Sequence, residues 1–319
     1  MVTLFSTAKP FTGHTAVIQQ NALQSWKLLH PEAEVILFGD EDGAAKVCRD
    51  FGLRHEPDVL RTPNGTKRLD FIFGRAQQIA RHDVLVYANC DIILCHEFVQ
   101  ALQRLLAWRQ KFLMVGCRWD TNITEPLDFS RPDWENEILA RAKTTGIRRF
   151  YHAIDYFLFQ RGLYPVIPPL VIGRIWWDHW LVGKIHDAGV PVVDVSDVVC
   201  AVHQNHDYGY HPQGMTGVWQ DEEAQRNYAL ASRETRLRTI EDATFGLTAA
   251  GIVPNRFYWL APAKRKWRKV SKAVRGTMRT RVWHPLLDAT RPARRAVGLD
   301  KDAVPNALRD RKRQHEMDQ

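Results

Sequence analysis

The sequence predicts an α/β protein: a mixed, mainly parallel sheet with helices on both faces, followed by a basic C-terminal tail. Three observations predict it. Short apolar runs alternate with segments of helical spacing through residues 1–117, the pattern of repeated strand–helix–strand units. The run from Val84 to Leu94 is nearly all apolar apart from Asn89 and Asp91, as in a strand covered on both faces. Finally, 319 residues with 45% hydrophobic content are enough for a sizeable core.

Taken in order, residues 2–9 read as a strand stopped by Pro10. Ala16, Ile18, Ala22, Leu23, Trp26 and Leu29 fall near helical spacing and predict a helix over 15–29. Glu34–Gly39 is the second strand, with Asp40, Glu41 and Asp42 behind it. A short helix is expected at 43–51 and a weaker strand at 53–59. Leu69, Ile72, Phe73, Ala76 and Ile79 predict a helix within 66–81. The central strand at 84–89 follows, then a helix at about 96–108 and a strand at 112–117. Residues 118–150 are rich in Arg, Asp, Trp and Pro, with an acidic helix near 132–142. A helix is expected at 177–187 and a strand at 190–195. The sequence contains no repeat of 20–50 residues.

The net charge of +8 belongs to the tail. Residues 261–319 carry 17 Lys+Arg and 6 Asp+Glu, a balance of +11, which leaves −3 for residues 1–260. Clustered Lys and Arg beside Trp267 and Val270 suit an anionic membrane surface; a solvated tail is the plain alternative. The five cysteines show no Cys-x-x-Cys spacing and read as reduced, buried apolar residues of a cytoplasmic protein. No window approaches the ~18 apolar residues of a membrane span, and no leader is visible. No nucleic-acid-binding module is recognisable.

Asn89 and Asp91 interrupt the apolar run. A buried carboxylate costs several kcal/mol unless paired or bound to a metal. On an extended chain, residues i and i+2 share a side, so both side chains are expected to offer oxygens to one hard cation, a partner for phosphate. The alternative is that Asp91 caps a turn or helix. Thr7, Lys9 and Asp40 stand at other strand ends, on the rim where open sheets bind ligands. Neither Gly-rich phosphate loop is present, so a cation with basic neighbours is the expected substitute.

An N-terminal strand, an acidic residue after the second strand and an Asx-x-Asp ending a buried strand together resemble the GT-A fold glycosyltransferases. These are nucleotide-diphospho-sugar transferases with a Rossmann-like sheet, here most similar to the inverting family 2 kind. The match covers roughly residues 1–210 and departs from the strict Asp-x-Asp at Asn89. The resemblance implies a nucleotide-binding half at 1–117, an acceptor-side half at 118–260, and Mn²⁺ or Mg²⁺ as cofactor. It implies Asp91 as the main metal ligand, with His203 or His206 completing the site. Donor binding is implied for Thr7, Lys9, Asp40, Arg68, Asp70 and Asn89. Asp178, set in Trp-Trp-Asp-His-Trp, is the implied base, Asp155 the second candidate, and Trp176, Trp177 and Trp180 the sugar-stacking aromatics. The Gly- and aromatic-rich 208–219 stretch reads as a lid. The implied partners are a nucleoside diphosphate sugar and a glycan, lipid-linked or protein acceptor, with peripheral contact at the inner membrane surface through the tail. Two other readings stand beside it: a sugar-phosphate nucleotidylyltransferase, whose Gly-rich loop is missing here, and a non-catalytic scaffold using the tail.

Overall fold

The strand–helix alternation of the first half builds one side of a nine-stranded sheet in the computed structural model, which describes residues 1–206, 214–232, 235, 238–255 and 258. β1 (Thr3–Thr7), α1 (Gly13–Leu28), β2 (Glu34–Phe38), α2 (Ala44–Phe51), β3 (Arg54–Glu56), α3 (Leu69–Ile79) and β4 (Val84–Ala88) follow one another. β1 lies between β2 and β4, parallel to both, and β3 continues the parallel edge. After β5 (Ile92–Ile93) and α4 (His96–Trp108), β6 (Leu113–Val115) joins the sheet through β9 (Tyr156–Gln160), which is antiparallel to both β4 and β6. β10 (Val192–Asp194) and β12 (Phe245–Thr248) add parallel strands, and β13 (Gly251–Pro254) closes the edge antiparallel. The sheet thus draws strands from both sides of residue 117, and Met1–Trp259 forms one unit. The basic stretch 261–319 lies outside the described residues.

Period-two alternation sorts the strands between two cores. Leu4, Leu37, Val86 and Leu158 face one side with Leu23 and Trp26 of α1 and Phe98 of α4. Phe5, Phe38, Tyr87 and Phe157 face the other with Phe73 of α3 and Leu181 of α6 (Trp177–Asp187). β4 is therefore covered on both faces. All five cysteines are free and buried. No helix among the described residues is long and apolar enough to cross a membrane.

Several boundaries differ from expectation for local reasons. β1 ends at Thr7, short of Lys9, because the backbone N–H and C=O of Lys9 bond the Gln19 side chain instead of a neighbouring strand. β3 is confined to 54–56, with Pro57 unable to donate to a ladder. α3 starts at Leu69 rather than 66 because Lys67 and Arg68 form isolated bridges to Arg61 and Val171.

A second, four-stranded sheet has the order β5, β11 (Ala201–Gln204), β7 (Arg118–Thr121), β8 (Ile147–Arg148). Ile93, Cys200 and Val202 pack there with Ile138 and Ala142 of α5 (Trp134–Thr145), giving a third core.

Candidate active site and cation cluster

The register of the small sheet assembles the one group of three potential metal-ligating side chains found among the described residues. β11 runs antiparallel to β5, with His203 opposite Ile92, and parallel to β7, with His203 opposite Asp120. Asp91 stands one residue before β5, and its backbone carbonyl accepts from the Gln204 N–H. His203 is thereby flanked by Asp91 on one side and Asp120 on the other. Two residues past β11, His206 returns to the same point.

Asp91, His203 and His206 form a cluster whose ligating atoms all lie within 4.8 Å of one another. His206 Nε2 is 3.1 Å from Asp91 Oδ2, and His203 Nε2 is 3.9 Å from the same oxygen. Neighbouring ligands of a hard cation bound at ~2.1 Å stand about 3 Å apart, so the donor set fits a divalent ion. The second carboxylate oxygen supports that fit: Asp91 Oδ1 is buried without a hydrogen-bond partner, a costly state for an anion. Burial alone would raise the Asp91 carboxyl. The His206 hydrogen bond and the charges of His203, His206 and Lys9 outweigh it and hold the group well below the usual carboxylate range. His203 Nδ1 lies 3.0 Å from Asp120 Oδ1, at ion-pair distance but without a hydrogen bond between them. Asp120 is also gripped by Arg118 at 2.8 Å and Arg149 at 3.2 Å.

The cluster opens into a cavity of about 1050 Å³ at the C-terminal ends of β1, β2 and β4. Asp155 and Asp178 are among the further carboxylates that line it. Asp155 accepts from Asn89 Nδ2 at 2.7 Å and Arg118 at 2.8 Å through Oδ1, while its buried Oδ2 has no partner. Asp178 sits in the first turn of α6. Burial raises its carboxyl and the nearby Asp155 charge adds to this; the His179 charge and backbone N–H groups oppose, and the net shift is upward. The turn that presents Asp178 is strained. Trp176 has φ 83°, the one positive φ at a non-glycine among the described residues, a conformation costing ~1–3 kcal/mol. It is held from α8 (Glu222–Leu230), where fully buried Asn227 donates to the carbonyls of Val171 and Ile175 and accepts from the Val171 N–H. Arg174 ties the same segment to Asp221 at 2.6 Å and Glu223 at 3.1 Å.

The structure gathers Thr7, Lys9, Asn89, Asp91, Asp155, Trp177, Asp178, His203 and His206 around this cavity. Other expectations are corrected. Asn89 does not share a cation position with Asp91: the chain leaves the extended geometry after Ala88 and turns, with Ile92 N–H bonding the Asn89 carbonyl. The Asn89 amide oxygen accepts from Tyr87 while its nitrogen serves Asp155. Nor does Asp91 cap a helix, since the N-cap of α4 is Cys95 and no side chain caps it. Asp40 points outward, 71% exposed and paired with Arg61; the next residue, Glu41, lines the cavity instead. Arg68 and Asp70 pair with each other, and neither lines the cavity. Trp180 is a core residue, 6% exposed, and Trp176 packs against His179 and Tyr228 rather than facing the cavity. Within the lid stretch, 208–213 lie outside the described residues, and from Gly214 the chain is helical as α7 (Gly214–Gln220) rather than a loop. Its Trp219, 54% exposed, lines the cavity.

Sequence reasoning missed Asp120, Arg118, Glu41 and Lys67. Lys67 is buried, 2.5 Å from Glu41 and donating to the Ala8 carbonyl at 2.6 Å; burial draws its ammonium down, with Glu41 opposing. Only the acidic run 40–42 carried a signal, and it was read as Asp40 rather than Glu41.

No protein-family model and no curated protein sequence matches the chain. Among solved structures it is similar to TarS residues 1–349 of S. aureus (12% identity, 39% of this chain and 37% of that one, TM-score 0.30). It is also similar to the mannosyltransferase PcManGT of Pyrobaculum calidifontis, in complex with GDP-Man and Mn²⁺ (14% identity, 66% and 59%, TM-score 0.41). A third is glucosyl-3-phosphoglycerate synthase of Mycobacterium tuberculosis, in complex with Mn²⁺, UDP and phosphoglyceric acid (14% identity, 65% and 71%, TM-score 0.39). The chain spans 37% of the TarS structure and 59% of the mannosyltransferase. These likenesses are distant.

Proposed function

We propose that the chain is a glycosyltransferase that moves a sugar from a nucleoside diphosphate sugar to an acceptor hydroxyl, with inversion. One observation carries the reading: a single cavity at the strand ends contains both a cation cluster with an unpartnered carboxylate oxygen and a carboxylate shifted upward, towards general-base duty.

Asp91, His203 and His206 hold the cation, which when bound supplies positive charge to a departing diphosphate. Two imidazoles and one carboxylate favour Mn²⁺ over Mg²⁺, an ion that prefers oxygen ligands and retains its waters. Lys9, following β1, adds charge on the phosphate side. Glu41, backed by Lys67 and Arg61, accepts from an N–H of the nucleobase. Asp155, fixed by Arg118, receives a sugar or acceptor hydroxyl on its free Oδ2. Asp178 takes the acceptor proton as that oxygen bonds the anomeric carbon and the carbon–phosphate-oxygen bond breaks on the opposite face. Trp219 offers aromatic surface to the sugar rings, while Trp177, packed on Tyr87 and Phe157, forms part of the cavity wall. The reading places the enzyme in the cytoplasm, in polysaccharide or glycoconjugate synthesis, with the basic tail resting on an anionic membrane surface.

A thermal-shift screen of nucleoside diphosphates and their sugars, with and without Mn²⁺, tests this. A ligand at about 100 times its Kd adds ~2.7 kcal/mol to the stability of the folded state. The expected result is a shift that needs both nucleotide and Mn²⁺ and whose Mn²⁺-dependent part disappears in Asp91→Asn. A protein that no nucleoside diphosphate shifts in Mn²⁺, or an Asp91→Asn variant transferring sugar at full rate, overturns it.

A further inference from the structure

We propose that Asp120 is a positioning residue for the cation cluster, setting the tautomer and orientation of His203; the inference rests on the cation reading above. The parallel register of β7 and β11 puts Asp120 directly opposite His203 on one sheet face. Its Oδ1 stands 3.0 Å from Nδ1, while Nε2 of the same ring looks towards Asp91 at 3.9 Å. The two ring nitrogens thus face different carboxylates, Nδ1 at ion-pair distance without a formed hydrogen bond. With the proton on Nδ1 and directed at Asp120, Nε2 presents a lone pair to the cluster. A carboxylate behind a ligating imidazole fixes the ring and makes it a better donor.

Asp120 is itself held on the far side. Arg118 contacts it at 2.8 Å and Arg149 at 3.2 Å, and the same Arg118 guanidinium reaches Asp155 at 2.8 Å. Asp155 bonds Asn89, two residues from Asp91. The contacts therefore form a ring: Asp91, His203, Asp120, Arg118, Asp155, Asn89, and by the backbone to Asp91 again. Every side chain in it is at most 16% exposed where an ion pair is made. Arg118 serves both the carboxylate behind the cation ligand and the carboxylate facing the donor or acceptor, so the two are aligned by one rigid fork. A carboxylate present only to neutralise Arg118 and Arg149 has no reason to face an imidazole nitrogen.

Two measurements on the full chain test this. The first is the nitrogen-15 spectrum of histidine-labelled wild type without metal at pH 8, with the His203 signals assigned by loss in His203→Gln. The expected tautomer of the neutral ring is Nδ1–H, giving way to a mixture in Asp120→Asn. The second is Mn²⁺ titration by calorimetry, in which Asp120→Asn is expected to weaken binding about 10–100-fold and Asp91→Asn to abolish it. An Nε2–H tautomer in the wild type overturns the proposal even if the variant does not fold. Unchanged Mn²⁺ affinity in folded Asp120→Asn overturns it while leaving the cation cluster intact. A wild type that binds no Mn²⁺ brings down both together.

Discussion

Asp178→Asn is expected to move activity and stability in opposite directions. In the folded protein the Asp178 carboxyl is shifted upward, by burial first and then by the Asp155 charge, against the His179 charge and the backbone N–H groups of the α6 first turn. A group whose folded pKa exceeds its unfolded value binds its proton more tightly when folded. Its contribution is therefore fully present below the unfolded pKa and is lost as pH rises through the folded one. At neutral pH the carboxylate is ionised and its burial is a net cost. Asn keeps the shape and removes the charge, so the variant is expected to melt higher than wild type at pH 7, with the difference vanishing below the normal carboxylate range. Loss of a general base costs about 10²–10⁴ in rate, or ~2.7–5.4 kcal/mol of barrier. In a nucleotide-release assay the wild-type rate is expected to rise with pH through an acid limb above the usual aspartate value, and the variant to lose that limb with its activity. A variant that turns over at the wild-type rate, or one less stable at pH 7 than at pH 4 relative to wild type, refutes the reasoning.

Two other perturbations probe the scaffold. Asn227→Ala removes three buried hydrogen bonds to the segment that ends in the strained Trp176; at ~1–3 kcal/mol per orphaned group, denaturant unfolding should show a loss of at least about 3 kcal/mol. Glu41→Gln leaves buried Lys67 without its carboxylate and is expected to cost ~3 kcal/mol and to weaken nucleotide binding. Adding Lys67→Met should recover most of the stability but not the binding, as read by melting and by nucleotide titration.

The strands and helices of the first half were legible because their signals are local. Leu4 and Phe5, or Val86 and Tyr87, alternate between two cores, and that alternation is written in consecutive residues. Asp178 at a helix start and two histidines after a late strand were equally visible, because each depends on a short motif. What failed was direction. Asp40 and Glu41 are adjacent, and a turn after β2 decides which one faces the cavity; an i, i+2 argument for Asn89 and Asp91 holds only while the chain stays extended, and it turns at Ala88. Trp180 illustrates a different limit. Three tryptophans around one aspartate suggested a sugar platform, yet Trp177 and Trp180 are both buried in the core with Leu181 and Phe157, and only Trp177 also reaches the cavity wall.

Asp120 was illegible for a deeper reason. Nothing near Arg-Trp-Asp-Thr distinguishes it from a surface strand, and its importance exists only through the β7–β11 register, which joins distant parts of the chain. The small sheet converts that register into chemistry. β4 belongs to the large sheet and β5, four residues on, to the small one, so the turn carrying Asn89 and Asp91 spans the junction. Asn89 is drawn to Asp155, one residue before β9 of the large sheet, while Asp91 is drawn to His203 in β11 of the small one and His206 just past it. A cation ligand and a substrate-facing carboxylate thereby depend on two separate hydrogen-bonded frameworks, and Arg118, on the first residue of β7, is the side chain that spans both. Site geometry in this protein is consequently expected to be more sensitive to changes at Arg118 than to changes of equal size within either sheet's core.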